Sequence, residues 1–361
     1  MQLILAALAV SAPDLARAAC AANSTAIGTT ICSYNSSNDV VTCNLAALGD
    51  STGATAYAVY DTGLNACAEE YCVWGTDANS GANFCYEHDT STSGPIRGID
   101  VLGGSSADFV YFSDVVTGQH LEPDGSGNLT ARALVFGGND YVLGSTYSAN
   151  DYVERFWGGD NDDTLDGDEG IDELQGEGGV DTLYGGDGRD ELHGGDGNDN
   201  LYGDGDDDVC YGDAQDDVIY GGEALDLIYG GSGNDTIDGG TGADTILGEA
   251  NNDTIVGNEG DDIVSGGSGI DTIYGGLGDD DLAGGPNNDT IYGGTESDAI
   301  CGDSGLDTLY GDGGDDILYG AVGAGETEDG GANSDSCEGY PAAAAAVNCE
   351  AGWPSARPCA L

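Results

Sequence analysis

A nine-residue period of hydrophobic and polar positions dominates the chain between residues 158 and 319. Cut from Gly158, this stretch divides without insertion into eighteen units, of which residues 185–193, GGDGRDELH, are typical. Position 1 is Gly and position 6 is Asp in every unit, and position 8 is always Leu, Ile, Val or Cys. Three columns held in register over eighteen units predict a repeat architecture, in which each unit is one structural element.

The last three positions of each unit predict a short β-strand. Sequences such as Thr272-Ile273-Tyr274 combine β-branched and aromatic residues, which favour strands. Side chains alternate along a strand, so position 8 faces a core while positions 7 and 9 face the other way. A strand of three residues cannot bury that face alone, but stacking on copies of itself solves the problem. The pattern therefore predicts an all-β fold of stacked units.

Positions 1 to 6 predict a turn. Gly at position 1, and often at positions 2 and 4, permits positive φ angles without steric cost. Asn, which also tolerates the left-handed region, replaces Gly at position 4 in several units. Gln215, Ala224 and Glu296 fit that position less well, so we expect looser turns in their units.

Asp at position 6 predicts a cation site at each turn. Stacked units would place these carboxylates about 4.8 Å apart, the spacing of neighbouring strands, where like charges repel. Hard cations placed between the carboxylates turn this repulsion into attraction. Ca²⁺ accepts oxygen ligands from flexible loops rich in carbonyl groups. Mg²⁺ demands tighter geometry and fits less well. The alternative, that Asp merely favours turns, does not explain an unbroken column.

The unit Gly-Gly-x-Gly-x-Asp-x-Ile/Leu-x resembles the haemolysin-type (RTX) calcium-binding repeat. The resemblance covers residues 158–319 and implies a right-handed parallel β-roll. Each coil would hold two repeats, so odd and even repeats would form separate sheets over nine coils. Asp at position 6 would bridge Ca²⁺ ions between coils, with backbone carbonyls completing the shell. The implied ligands are Asp163, Asp172, Asp181, Asp190, Asp199, Asp208, Asp217, Asp226, Asp235, Asp244, Asp253, Asp262, Asp271, Asp280, Asp289, Asp298, Asp307 and Asp316.

The charge of the chain also favours bound cations. Asp and Glu number 67 against six Lys and Arg, which gives a formal net charge of −61. Such a charge on a compact domain is self-repulsive, and 39% hydrophobic residues are too many for an acidic disordered tail. Nucleic acid is excluded as a partner, because it is itself a polyanion.

The N-terminal sequence and the cysteines predict an exported protein. Residues 1–19 have the apolar stretch and Ala-x-Ala end of a signal peptide, the alternative being a disordered apolar N-terminus. No other stretch is long and apolar enough to span a membrane. Eleven cysteines without a Cys-x-x-Cys pair favour disulfides in an oxidising compartment over zinc. We therefore expect secretion to the extracellular space or the cell surface.

Two segments precede the repeat array. Residues 20–95 indicate a small disulfide-rich domain with brief strands at residues 39–43 and 56–60. Residues 96–157 carry irregular copies of the repeat and several aromatic residues, which predict an N-terminal cap. An aromatic ligand cleft is the alternative. Whether this cap also binds Ca²⁺ is left open for Asp100, Asp108, Asp140 and Asp151.

Residues 320–361 follow a one-residue slip of register and predict a C-terminal cap with disulfides. Cys210 occupies position 8, so we expect a buried, reduced thiol. Cys301 occupies position 9 and should face outward. We hypothesise the pairs Cys337–Cys349 and Cys301–Cys359. The outward positions of the odd repeats carry rows of Thr and Tyr, which pack across strands or meet a partner.

No catalytic signature accompanies the array. The three histidines form no His-Glu-x-x-His motif, and no Gly-x-Ser-x-Gly elbow occurs. We predict a non-enzymatic, secreted calcium-binding structural or surface protein. Its partners would be calcium ions and an extracellular polysaccharide or surface protein. The alternative is a Ca²⁺-dependent secreted hydrolase or lyase, acting on polysaccharide or peptide through the N-terminal region.

Overall fold

The computed structural model describes residues 32–35, 40–44, 55–61, 70–76, 83–89, 98–102, 108–112, 129–135, 137–145, 152–320, 327–334, 336 and 337. The predicted signal peptide, the disulfides of residues 20–95 and the tail after Cys337 lie outside these residues. The contacts divide the chain into two units, residues 1–160 and 161–361, and each is described by itself.

The first unit consists of strands that are mostly parallel. They are β1 (Cys32–Asn35), β2 (Val40–Asn44), β3 (Thr55–Asp61), β4 (Glu70–Thr76), β5 (Asn83–Asp89), β6 (Gly98–Leu102), β7 (Asp108–Phe112), β8 (Leu129–Leu134), β9 (Tyr141–Ser145) and β10 (Tyr152–Asp160). One sheet has the order β1-β2-β6-β8-β10 and the other β9-β7-β3-β4-β5. The brief strands predicted in residues 39–43 and 56–60 are confirmed as β2 and β3.

The second unit is a parallel β-solenoid. Its strands are β11 (Thr164–Gly170), β12 (Glu173–Gly178), β13 (Thr182–Gly188), β14 (Glu191–Asp196), β15 (Asn200–Gly205), β16 (Val209–Ala214), β17 (Val218–Glu223), β18 (Leu227–Ser232), β19 (Thr236–Thr241), β20 (Thr245–Ala250), β21 (Thr254–Glu259), β22 (Ile263–Ser265), β23 (Thr272–Leu277), β24 (Asp281–Ala283), β25 (Thr290–Thr295), β26 (Ala299–Cys301), β27 (Thr308–Gly313), β28 (Ile317–Tyr319), β29 (Thr327–Asp329) and β30 (Ser336–Cys337).

Odd and even repeats form separate sheets, as predicted. The odd-numbered strands β11 to β29 make one sheet and the even-numbered strands β12 to β30 make the other. From β11 to β28, each paired residue lies beside the residue eighteen positions further on, as Thr236 does with Thr254; β29 and β30 pair at an offset of nineteen. Strands β29 and β30 add a tenth coil to the nine expected, because residues after Tyr319 continue both sheets.

The core of the solenoid is the position-8 column. Each of its eighteen side chains, from Leu165 to Leu318, is at most 1% exposed. Positions 7 and 9 are more exposed in most strands, and this alternation confirms the predicted facing of the side chains. Cys210 takes its place in this column as a buried free thiol, as expected.

The prediction that position 1 begins a turn is wrong for most units. The typical strand runs from position 7 to position 3 of the next unit, as in the six residues of β19. The parallel ladder continues through the glycines, where Gly240 pairs with Asn258. Strands β22, β24, β26 and β28 keep the predicted three residues. Backbone pairing therefore extends further than the apolar pattern indicates.

The left-handed backbone occurs at positions 2 and 4. Gln215, Ala224 and Glu296 at position 4 have φ angles of 77°, 81° and 73°, in the same region as Asn251 at 80°. The expectation of looser turns in these units is therefore wrong. In the Gln215 turn, a hydrogen bond between coils holds this conformation, because the Gln215 N–H donates to the Ser232 carbonyl at 2.6 Å.

Position 1 needs glycine for a different reason from the one predicted. None of the position-1 glycines from Gly167 to Gly311 has φ in the left-handed region. A Cβ at any of these positions would instead lie within 2.7 Å of the position-6 carboxylate of the same unit. Since nonbonded carbon atoms prefer separations of about 3.5–4.0 Å, the invariant glycine makes room for the aspartate.

This contact predicts that Gly239→Ala destabilises the solenoid, whereas Gly205→Ala does not. At Gly239 a Cβ would meet Asp244 Oδ2 at 2.6 Å, but at Gly205 the nearest atom is 3.6 Å away. We expect a loss of about 1–3 kcal/mol for Gly239→Ala, the range for overpacked sites. Thermal unfolding at saturating Ca²⁺ checks this, and equal midpoints for the two variants would refute the contact.

Candidate metal centre

The eighteen position-6 aspartates form two buried columns, one along each side of the solenoid. Every one, from Asp163 to Asp316, is at most 3% exposed. Ionised carboxylates are seldom buried unless they are paired or bind a metal. Burial of the whole set therefore requires hydrogen bonds and the neutralisation of the charges, by protons or by bound cations.

One oxygen of each of the sixteen carboxylates from Asp181 to Asp316 accepts a hydrogen bond from the coil before it. The backbone N–H of each aspartate donates to Oδ1 of the aspartate eighteen residues later, at 2.7–3.0 Å, in sixteen bonds that run along the two columns. The aspartate carbonyl accepts from the next coil in turn, as when the Thr236 N–H donates to the Asp217 carbonyl at 2.9 Å. The column therefore adds its own ladder to those of the sheets.

The second oxygen has no protein donor. In the described part of the chain, Oδ2 is buried without a hydrogen-bond partner in the fifteen column members from Asp181 to Asp307. It faces the position-1 glycine, where a carbonyl of the next coil also points. A Cβ placed on Gly239 would be 2.6 Å from Asp244 Oδ2 and 2.9 Å from the Gly257 carbonyl oxygen. Oxygens of neighbouring coils therefore converge at each turn.

Burial of the columns raises the pKa values of the carboxyl groups. Desolvation raises the pKa of Asp208 to about 9. The hydrogen bond from the Asp190 N–H lowers this pKa, whereas the like charges of Asp190, Asp226 and Asp206 raise it further. Desolvation is also the first cause for Asp217 and Asp298, whose pKa values rise to about 8. Without a cation, these groups would hold protons near neutral pH, so protons and cations compete for the same oxygens.

The donor set fits a hard divalent cation bound between coils. Among the described residues, no three Asp, Glu, His or Cys side chains converge on one point. Each turn instead offers single carboxylates and backbone carbonyls, which are ligands that Ca²⁺ accepts in flexible geometry. A transition-metal site would require clustered His or Cys side chains, and the described turns have none.

The comparison with known families agrees with this geometry. The profile described as the RTX calcium-binding nonapeptide repeat (4 copies) matches overlapping segments at residues 157–192, 184–219, 211–246, 220–255, 238–273, 256–291, 274–309 and 292–325. Residues 157–325 belong to the RTX calcium-binding repeat family. No curated protein matches the chain. The predicted family is thereby confirmed, and the RTX repeats make calcium the expected ion of these turns.

A second ladder along the RTX turns escaped the sequence analysis. At position 5, exposed Asp and Asn side chains accept the position-5 N–H of a neighbouring coil. Asp216 Oδ1 accepts from Asn234 N at 2.7 Å, and Asn252 Oδ1 accepts from Ile270 N at 2.7 Å. The frequency of Asp and Asn at position 5 was the available signal, but these residues resemble ordinary turn formers.

Three other side chains, those of Glu328, Asp140 and Cys301, are buried. Glu328, at the core-facing position beside Leu309 in the tenth coil, is buried and accepts the Gly320 N–H at 3.1 Å. No pattern in the sequence singles out Glu328. Asp140 in the first unit is also buried, at 3% exposure. Asp100, Asp108 and Asp151 lie outside the residues whose side chains are described. Cys301 at position 9 points away from the core, as expected, but it is buried, at 3% exposure.

The column geometry predicts different effects for two adjacent aspartates. Asp262→Asn preserves an Oδ1 acceptor for the Asp244 N–H but removes a buried negative charge. It should therefore lower the number of bound Ca²⁺ ions and shift the folding midpoint to higher Ca²⁺. Asp261→Asn is the matched control, since Asp261 is exposed and accepts from the Asp279 N–H at 3.0 Å. Calorimetric titration with Ca²⁺ measures both, and identical titrations would contradict the assignment.

The raised pKa values predict a defined pH dependence. Groups such as Asp208 and Asp217, with folded pKa values of about 9 and 8, stabilise a calcium-free solenoid below their unfolded pKa and lose that contribution as pH rises through the folded values. In chelator, strand content should therefore increase from pH 8 to pH 5. The Ca²⁺ midpoint should rise over the same interval, because protons compete. Circular dichroism that shows no such opposite trends would contradict this account.

Proposed function

We propose that the chain is a secreted calcium-binding structural protein, whose RTX array folds on Ca²⁺ binding and serves as an interaction module outside the cell or at its surface. The observation that carries the proposal is the buried carboxylate column, in which fifteen oxygens lack a protein donor. Burying an unpaired charge costs several kcal/mol, so folding and ion binding are coupled. The proposed ligands are the eighteen aspartates from Asp163 to Asp316, several ions being bound per chain.

Coupled folding can be followed through Cys210. Its thiol is wholly buried in the core column, and that burial raises its pKa well above the ordinary value. Saturating Ca²⁺ should therefore protect Cys210 from a thiol reagent, and chelator should expose it. Mass spectrometry of the Cys210 peptide measures the labelling, with Cys210→Ser as the control for assigning it. Equal protection of Cys210 in Ca²⁺ and in chelator would show that the array is folded without calcium.

An extracellular location is proposed from the cysteines and the N-terminal sequence. Cys301 and Cys337 support it, because both are engaged in disulfides, which persist mainly in oxidising compartments. The pairs Cys337–Cys349 and Cys301–Cys359 and the signal peptide of residues 1–19 stay predictions. Among the described residues no helix is long and apolar enough to cross a bilayer.

The proposed partner surface is the outer face of the odd sheet. Tyr184, Tyr202 and Tyr220 stack with ring centroids 4.9 and 5.1 Å apart. Tyr274, Tyr292 and Tyr310 repeat this arrangement at 4.9 and 4.8 Å. Stacked rings cover each other's faces, so the row presents ring edges and hydroxyl groups beside the outward threonines. Hydrogen bonding to a polysaccharide or a surface protein therefore fits better than stacking of sugars on open aromatic faces.

The second candidate function is a Ca²⁺-dependent hydrolase or lyase with catalysis in the first unit. RTX repeats form a structural calcium-binding fold, and catalysis would have to come from residues outside the array. Assaying the full chain on polysaccharides and peptides, with and without Ca²⁺, separates the candidates. We expect no turnover, and robust turnover that needs Ca²⁺ would replace the structural function by the enzymatic one.

A further inference from the structure

Three side chains at the C-terminal end of the even sheet are buried although they point away from the core. Ala283, Cys301 and Tyr319 occupy position 9 of β24, β26 and β28, and they are 7%, 3% and 8% exposed. The position-8 residues Leu282 and Ile300 beside them fill the core on the other face. Since neighbouring side chains lie on opposite faces of a strand, both faces of the sheet are covered here.

The cover is confined to these last coils. Along the same column, Tyr211, Tyr229 and Leu247 are only partly buried. On the neighbouring position-7 column, Ile263 is 39% exposed. The three buried residues form one cluster, against which the partly buried Ile317 packs. Apolar composition alone therefore does not bury this face, and a specific segment must lie over the cluster.

We propose that residues 338–361 dock on this outer face of the even sheet, over Ala283, Cys301 and Tyr319. The last described strand, β30, pairs with β28, so the chain leaves the solenoid one strand away from Tyr319. The sequence continues for 24 residues after Cys337. The cluster spans only two strand spacings, about 10 Å, whereas 24 extended residues reach about 80 Å.

The composition of this segment suits an apolar face. It contains two Glu and one Arg, five consecutive alanines, Val347 and Trp353. In a chain with a net charge of −61, a nearly neutral segment escapes the repulsion that an acidic one would meet. A second copy of the chain would instead bring its own acidic turns close to those of the first.

The cysteines support the same occupant. Cys301 and Cys337 are both disulfide-bonded, but their strands are separated by β28, so they lie two strand spacings apart, about 10 Å. A disulfide requires Cα atoms within about 7 Å, so each needs another partner. The segment supplies two cysteines, Cys349 and Cys359. The pairing of Cys301 and Cys337 with this segment rests on the disulfides of the proposed function, whereas the burial of Tyr319 is independent of them.

Chemical modification of tyrosines in the full chain tests the docking. In Ca²⁺, Tyr319 should resist iodination while Tyr310, the position-9 tyrosine of the preceding repeat on the other sheet, reacts. A variant that ends at Cys337 should lose the protection of Tyr319, with Tyr310 unchanged. Protection that persists in a truncated variant with an intact strand signal would overturn the proposal. Protection that depends on protein concentration would replace the tail by a second copy.

Peptide mapping without reduction tests the disulfide link between Cys301 and residues 338–361 in the unaltered chain. It also tests the docking if the truncated variant fails to fold. We expect the Cys301 peptide to be joined to a peptide from residues 338–361. A link from Cys301 to a cysteine of residues 20–85, or a free Cys301, would overturn it. Loss of calcium-coupled folding with this link intact would refute the proposed function while leaving the docking in place.

Discussion

The carboxylate at the end of each turn is the constraint on which the rest of the solenoid depends. Its Oδ1 accepts a hydrogen bond from the neighbouring coil, and its Oδ2 has no protein donor over fifteen column members in the described array. A buried oxygen of this kind is tolerable when protonated or bound to a cation. One residue type at position 6 therefore couples the stacking of the coils to the ionic composition of the surroundings.

The other invariant columns follow from this carboxylate. Position 1 is glycine because the aspartate of its own unit occupies the place where a Cβ would lie. Position 8 is apolar because stacking brings each of these side chains against its copies in a continuous core. Positions 2 and 4 accept residues other than glycine in the left-handed backbone, and at position 4 hydrogen bonds between coils hold residues such as Gln215 and Asn251 there.

The parts of the fold that repeat could be predicted, because repetition makes a weak local signal unmistakable. The core column follows from the periodicity, whereas the two sheets and the eighteen-residue register were implied by the resemblance to RTX repeats. The position-5 ladder was missed, since Asp and Asn at a turn have a simpler explanation in any single repeat. Glu328 and the burial of Cys301 could not be predicted, because each depends on a contact where the repetition stops. Periodicity also gave no account of why strands such as β19 continue through the glycines.

Circular dichroism of the full chain as a function of free Ca²⁺ tests whether the array folds only when its buried carboxylates bind cations. At pH 8 in chelator, the strand signal of the array should be absent, because most of the buried carboxylates would be charged and uncompensated. It should appear cooperatively as Ca²⁺ is added and disappear again when the chelator is restored, whereas equimolar Mg²⁺ should not replace Ca²⁺. A strand signal that is already complete in chelator at pH 8 would contradict the account.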